Sequence, residues 1–184
     1  MQADTFIKQV QESFPCQRPD PSRLFEGVRT ESGCETLEYF VHVEWPDLTL
    51  EMLDGAAGEF WQMSSVWVKY FLPAFMCLTA KYDLEFETYH SETGTFFEVK
   101  EEQEALITCV FSYWHSLEWF MTEEWDITTN IFHGLTSKQI ELVSIWLKHI
   151  DFKALDAADE LHEGFDYSAD ALNAFENKMN EYSL

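Results

Sequence analysis

Basic residues are scarce in this chain, which has 11 Lys and Arg against 34 Asp and Glu among its 184 residues. The formal net charge is −23 and the isoelectric point is near 4.3. A protein that binds nucleic acid directly needs basic side chains to replace the counterions of the phosphates. A protein of anionic membrane surfaces needs them on an amphipathic face. The composition therefore excludes direct nucleic-acid binding and membrane attachment of this kind.

Glycine, proline and long apolar runs are also scarce. With 7 Gly and 5 Pro there is little material for long linkers. The chain has no run of about 18 apolar residues, which a membrane-spanning helix would need. Its first residues lack the basic segment that is typical of a signal peptide. The four cysteines, Cys16, Cys34, Cys77 and Cys109, are widely spaced. Without a secretory signal they are expected to be free thiols, and we expect a cytoplasmic protein.

Apolar and aromatic residues are abundant despite the acidity. Hydrophobic residues make up 46% of the chain and aromatic residues 16%. Acidic disordered chains are poor in aromatics, so the composition indicates a folded protein. The length is typical of one domain with its own core, and we expect residues 1–184 to form a single domain.

Helical periodicity of the apolar residues dominates the chain and predicts a mainly α, single-domain helical bundle. The clearest stripe, within 100–121, runs from Leu106 to Met121. Residues 83–98 are acidic and partly alternating, which is typical of a loop or a β-hairpin. An extended loop is expected around Pro15, Pro19 and Pro21. The predicted helical segments are 4–14, 34–44, 49–54, 64–81, 100–121, 136–150 and 169–182; within 34–44, FVHVEW also fits a short strand.

Local signals mark the ends of two of these helices. Ser64 or Ser65 is a candidate N-cap for 64–81, and Pro73 within that segment is expected to kink or split the helix. Thr136 and Gln139 have the spacing of a capping box. Leu135 and Ile140 have the spacing of a hydrophobic staple before the helix at 136–150.

Two segments carry a resemblance to a known family. Residues 67–82, WVKYFLPAFMCLTAKY, and residues 134–150, GLTSKQIELVSIWLKHI, resemble an uncharacterised bacterial domain family. Its members pair a helix of the RYYLPAFL type with a C-terminal helix of the LTPEQ…V..FL..L type, and the first helix, ending in Ser13-Phe14-Pro15, is also similar. The resemblance implies no activity; small bacterial domains of this class are often toxin-neutralising immunity proteins. This chain differs by its acidic stretch 83–104 and a C-terminal helix.

No arrangement of residues indicates catalysis. The glycines form no GxGxxG, GxxxxGK[ST] or GxSxG motif, and no CxxC or HExxH motif is present. The ExxH of Glu87–His90 is half of a di-iron pattern without its second half. The acidic run 156–170 fits no register of a calcium-binding loop. We therefore expect no enzyme, no metal and no cofactor.

The negative charge is concentrated in the middle of the chain. Residues 76–130 hold 12 acidic and 2 basic residues, a net charge of −10, with aromatic residues between them. Such a surface steers and holds a basic partner, and the aromatics supply buried contacts. The predicted partner-binding residues are Asp83, Glu85, Glu87, Glu98, Glu101, Glu102, Glu104, Glu118, Trp119, Glu123, Glu124, Trp125 and Asp126.

Three functions remain open from the sequence. The favoured one is an acidic binding protein that neutralises a basic toxin or nuclease-like effector by covering its functional surface. The second is a nucleic-acid mimic that inhibits a host defence or nuclease complex. The third is an enzyme with an unrecognised site of Asp, Glu and His residues. We favour the first because the aromatics are interleaved with the charge and because of the family resemblance.

Overall fold

A computed structural model of the protein describes residues 2–26, 35–53, 63–82, 86–91, 94–99 and 134–149. This part of the chain is mainly α, as the periodicity predicts. It also contains three short 3-10 turns, Pro21–Arg23, Tyr39–His42 and Trp45–Asp47. The helices are α1 (Ala3–Ser13), α2 (Glu35–Glu38), α3 (Leu50–Leu53), α4 (Ser65–Tyr82) and α5 (Ser137–His149), and the strands are β1 (Phe86–Ser91) and β2 (Gly94–Val99).

Helix α1 is amphipathic and ends where the prolines begin. Phe6 and Val10 are one turn apart and fully buried, and Phe14, which caps the helix, is buried beside them. The backbone then leaves the helical conformation at Phe14 (φ −106°, ψ 123°), as expected for a residue that precedes proline. The prolines hold residues 15–20 without regular structure until the turn at Pro21.

Helix α4 lies at the centre of the described core. Twelve of its residues are buried, so nearly its whole circumference faces protein. The helix continues through Pro73 without interruption, so the expected split does not occur. Burial on most sides holds the chain helical there, since tertiary packing compensates for the backbone hydrogen bond that proline cannot make.

Ser64 occupies the N-cap position of α4 without acting as a side-chain cap. Its carbonyl accepts the first helical bonds, from the amides of Trp67 and Val68 at 3.0 and 2.9 Å. Its buried hydroxyl has no hydrogen-bond partner among the residues that the structure describes, and an unpaired buried polar group is costly. Ser64 therefore takes the N-cap position through its backbone, but its side chain does not make the expected capping hydrogen bond.

Helix α5 begins at the predicted capping box. The amide of Thr136 donates to Gln139 Oε1 at 2.8 Å, and the amide of Gln139 donates to Thr136 Oγ1 at 3.3 Å. Leu135 and Ile140, the predicted staple, are both partly buried against the core. The boundaries agree with the predicted segment to within one residue.

The core is formed where α1, α4 and α5 contact one another. Three tryptophans from distant parts of the chain, Trp45, Trp67 and Trp146, are almost completely buried there. Each buries one of the largest apolar surfaces available to a side chain, so these residues contribute strongly to stability. The stacked rings of Trp67 and Phe71, with centroids 6.0 Å apart, extend the aromatic packing along α4.

The remaining predictions divide between confirmed and untested. Within 34–44 the structure has the predicted helix and not the alternative strand; this helix, α2, is short and is followed directly by a 3-10 turn. Helix α3 confirms the helical turn predicted within 49–54. The hairpin alternative for 83–98 is confirmed by β1 and β2. The helices predicted over 100–121 and 169–182 lie outside the described residues, and the single domain stays a prediction.

Candidate functional site

The hairpin brings together two of the predicted partner-binding residues. Strands β1 and β2 are antiparallel, and Glu87 is the direct register partner of Glu98. The next two register pairs each include at least one aromatic residue, Thr88 with Phe97 and Tyr89 with Phe96. Like charges at directly opposite positions destabilise a strand pair. The register thus places two glutamate positions opposite each other, next to positions held by aromatic residues.

The other predicted partner-binding residues lie outside the part of the chain that the structure describes. Their arrangement relative to the hairpin stays a prediction. These residues are Asp83, Glu85, Glu101, Glu102, Glu104, Glu118, Trp119, Glu123, Glu124, Trp125 and Asp126.

A separate feature is an open groove of about 380 Å³ between three segments. The proline-containing loop after α1 forms one wall, with Pro15 and Pro19. One face of α4 forms the second wall, and the residues before α5 close the third side. Most of the lining is apolar, and the volume falls within the range of small-molecule sites. We call this feature the proline groove.

Lys69 is the charged side chain of the proline groove among the described residues that line it. It is half-buried, and burial lowers the pKa of its ammonium group below the ordinary value of 10.5. Its Nζ lies 3.8 Å from the position that a Cβ on Gly134 would take. Gly134 has a φ of +74°, in the left-handed region that favours glycine. The groove therefore combines an apolar lining with one cation.

Thr136 and Gln139 are engaged in hydrogen bonds at the start of α5. Gln139 Nε2 donates to the carbonyl of Ser13 at 2.9 Å, while its Oε1 accepts from Thr136. The amides of Gln139 and Ile140 donate to the side chain and carbonyl of Thr136. The N-terminus of α5 is thus capped by its own residues and joined to the end of α1.

A polar cluster near the groove involves the exposed thiol of Cys16. The thiol donates to Glu44 Oε2 at 3.4 Å, and partial burial together with the hydrogen bond and charge of Glu44 raises its pKa. The amide of Trp45 donates to the hydroxyl of Tyr70 at 3.2 Å, and burial raises the pKa of Tyr70 to about 12. These shifts stabilise the protonated forms, which is the opposite of what a nucleophile requires.

Cys16 and Cys77 are free thiols, as predicted; Cys34 and Cys109 lie outside the described residues. Within the described ranges, no group of three or more His, Cys, Asp or Glu residues is arranged to hold a metal ion. No helix found there is long and apolar enough to cross a membrane.

No protein-family model, curated protein or solved structure matches this chain. The resemblance of residues 67–82 and 134–150 to a bacterial family therefore stays a prediction. The first segment lies within α4, the second contains α5, and the two helices contact each other.

The proline groove was not predicted from the sequence. A signal was present: Lys69 stands alone in the apolar segment that runs from Val66 to Ala80. A lone lysine in such a segment indicates either an exposed edge or a polar site. Which of these applies depends on the segments that pack against α4, and these come from both ends of the described chain.

Proposed function

We propose that this protein acts by binding a basic toxin or effector protein, which it neutralises by covering the partner's functional surface. The contact region comprises residues 83–104 and 118–126. The observation that supports this proposal most directly is the register of the hairpin, in which Glu87 is opposite Glu98. The proposal needs acidic residues assembled together, and this pair is separated in sequence and adjacent in the sheet.

A basic partner gives the Glu87–Glu98 pair a favourable role. Two carboxylates at opposite register positions oppose strand pairing by about 0.2–1 kcal/mol. A lysine or arginine of a partner placed between them would remove that penalty and gain two charge-assisted contacts. The pair thus costs stability in the unbound protein and gains stability in the complex.

The overall charge supports the same proposal. A net charge of −23 produces a field that accelerates association with a positively charged surface and weakens as salt screens it. Aromatic residues at Tyr89, Phe96 and Phe97 lie in the same hairpin. Interfaces held by charge gain much of their affinity from such aromatic residues.

Capture from a lysate of the native host, with identification of the bound protein, tests this function. The wild type is compared with Glu87→Gln/Glu98→Gln and with Glu38→Gln/Glu51→Gln, which removes the same charge from exposed positions on α2 and α3. Only the hairpin variant should lose the partner substantially, and binding should weaken as NaCl rises from about 50 to 500 mM. An acidic partner, or binding that is indifferent to salt, would overturn the proposal. Displacement by free DNA or RNA would instead favour the nucleic-acid mimic.

A further inference from the structure

We propose that the partner of this protein contributes an extended basic segment, which adds a third strand to the hairpin along β2. The proposal rests on the function proposed above and states how the partner binds. It is based on the register of the hairpin, which determines which backbone groups of β2 point away from β1.

Alternate backbone groups of β2 are directed away from β1. The register pairs Ser91 with Gly94, and only two residues lie between them, so this is a hydrogen-bonded pair. Hydrogen-bonded and non-hydrogen-bonded pairs alternate along an antiparallel ladder. The amides and carbonyls of Thr95, Phe97 and Val99 therefore face away from β1. Within the described residues the sheet consists of β1 and β2 alone, so these groups define an edge.

The hairpin lacks the features that usually prevent pairing at a sheet edge. Proteins protect such edges with lysine, with proline, with bulges or with very short strands. Residues 86–99 include no Lys, Arg or Pro, and the register runs through both strands without a bulge. An edge of this kind is suited to accept a strand from another chain.

The charge of this region determines which strand can be added. Residues 83–104 contain eight acidic residues and one basic residue, a net charge of −7. Two copies of the chain would bring like charges together along the shared edge, so the charge opposes pairing of the protein with itself. A segment rich in lysine or arginine has the complementary charge. The edge therefore fits a basic strand.

Glu98 marks the position at which a basic residue of the added strand is expected. Its backbone groups pair with those of Glu87, so in an added antiparallel strand the residue opposite Glu98 belongs to a non-hydrogen-bonded pair. Residues in such pairs are closer together than those in hydrogen-bonded pairs. A lysine or arginine there would form an opposite-charge pair with Glu98, whose register partner in β1 is also acidic.

The composition of the two strands favours the edge formed by β2 over that formed by β1. Strand β2 contains no basic residue, whereas β1 includes His90. A histidine gains a positive charge at mildly acidic pH and would then repel a basic strand. The positions of β2 whose backbone groups face away from β1 are Thr95, Phe97 and Val99, and all three residue types are favoured in strands.

Binding of a model strand to the full chain tests the proposal. The probe is an acetylated and amidated octapeptide of alternating lysine and valine, and NMR measures binding and amide hydrogen exchange. At about ten times its Kd, the peptide should slow exchange of the amides of Thr95, Phe97 and Val99 by about tenfold, because these amides would donate to the added strand. Two control octapeptides should bind at least about tenfold more weakly. The glutamate–valine peptide reverses the charge, and the lysine–proline peptide keeps it but cannot form a continuous ladder.

Two proline substitutions identify the edge that is used. Thr95→Pro removes an amide of β2 that faces away from β1, and Thr88→Pro removes the equivalent amide of β1; proline is tolerated at such edge positions. Thr95→Pro should weaken binding of the lysine–valine peptide by at least about tenfold, and Thr88→Pro should leave it unchanged. Exchange of the Phe96 amide, whose residue pairs with Tyr89, reports in both variants whether the hairpin is formed.

The outcomes separate strand addition from the function on which it rests. Strand addition is overturned by absence of lysine–valine peptide binding up to about 1 mM, by equal binding of the lysine–proline peptide, or by unchanged exchange of the three β2 amides. It is also overturned if Thr95→Pro captures a basic host protein as fully as the wild type does, and the proposed function then stands. If the wild type captures no basic protein, the proposed function fails, and the peptide result alone decides whether β2 accepts a basic strand.

Discussion

The indole N–H of Trp146 donates a hydrogen bond to the hydroxyl of Thr79 at 2.7 Å, joining two residues that are 67 positions apart. Both residues are buried, and the Thr79 hydroxyl in turn donates within its own helix, to the carbonyl of Phe75 at 2.8 Å. The indole N–H of Trp146 on α5 therefore has its hydrogen-bond acceptor on α4. A large aromatic side chain can enter the core completely only because its polar atom finds such a partner.

We predict that Thr79 and Trp146 are energetically coupled. Thr79→Val removes the acceptor of the indole N–H, and Trp146→Phe removes the donor, so each should lower the free energy of unfolding by about 1–3 kcal/mol. The double variant should cost about 1 kcal/mol less than the sum of the two. Urea unfolding measures all three, with Thr79→Ser as the control that keeps the hydroxyl. Additivity within about 0.3 kcal/mol would contradict the coupling.

Gln139→Glu should separate the two roles of Gln139. The carboxylate can still accept from the Thr136 amide, but it replaces the amide donor that faces the carbonyl of Ser13. We expect a loss of about 1–3 kcal/mol, because an acceptor then faces an acceptor in a largely buried position. Urea unfolding provides the measurement, and Lys138→Gln, in an exposed ion pair with Glu141, should change stability by less than about 0.5 kcal/mol. If Gln139→Glu leaves the free energy of unfolding unchanged, the hydrogen bond to Ser13 contributes nothing to stability.

Alkaline pH should destabilise the protein in part through Cys77. Burial raises the pKa of this thiol from 9.0 to about 12, so between these values the unfolded chain loses a proton that the folded chain keeps. The folded state then binds more protons, and the free energy of unfolding falls as the pH rises above about 9. Below that pH the contribution is fully present.

Cys77→Ala tests this origin of the alkaline effect. Its free energy of unfolding, measured in urea, should decrease less steeply than that of the wild type between about pH 9 and pH 10. At about pH 6–8, where the thiol is protonated in both states, the difference between the two proteins should be constant. Equal slopes above pH 9 would assign the alkaline effect to other groups.

Glu44 should reduce the reactivity of Cys16. Burial and then Glu44 raise the pKa of the thiol; Glu44→Gln removes the charge and leaves only a neutral acceptor, so it should lower this pKa and increase the thiolate fraction near pH 8. With Cys34, Cys77 and Cys109 replaced by serine, the rate of reaction with a disulfide reagent reports on Cys16 alone. Asp47→Asn should accelerate the reaction less, because Asp47 contributes least among the groups that act on this thiol. An equal or larger effect of Asp47→Asn would contradict the assignment to Glu44.

Glu98→Lys should stabilise the hairpin and weaken binding of the proposed basic partner. The substitution converts a like-charge register pair with Glu87 into an opposite-charge pair, which favours strand pairing by about 0.2–1 kcal/mol. Hydrogen exchange of the strand amides measures the first effect and partner binding the second. Glu51→Lys makes the same charge change on α3 and should leave the hairpin amides unchanged. Faster exchange in Glu98→Lys would contradict the register argument.

Signals that act over short distances along the chain were visible in the sequence. The spacing of Thr136 and Gln139 predicts a capping box, and the structure has both of its hydrogen bonds. The period of the apolar residues places α1 and α4, because a stripe repeating every three to four residues can be buried only in a helix. Pro73 does not split α4, since burial around the helix outweighs the bond that proline removes.

Relationships between distant residues were decided by the tertiary structure. The bond from Gln139 to Ser13 spans 126 positions, and the position of Lys69 in a groove depends on α1, α4 and α5 together. The sequence by itself determined the charge of −23, the mainly helical fold and the capping box of α5, because composition and local spacing encode them. The tertiary structure alone decided which glutamates are register partners in the hairpin and where Lys69 meets apolar walls, because these depend on how separate segments come together.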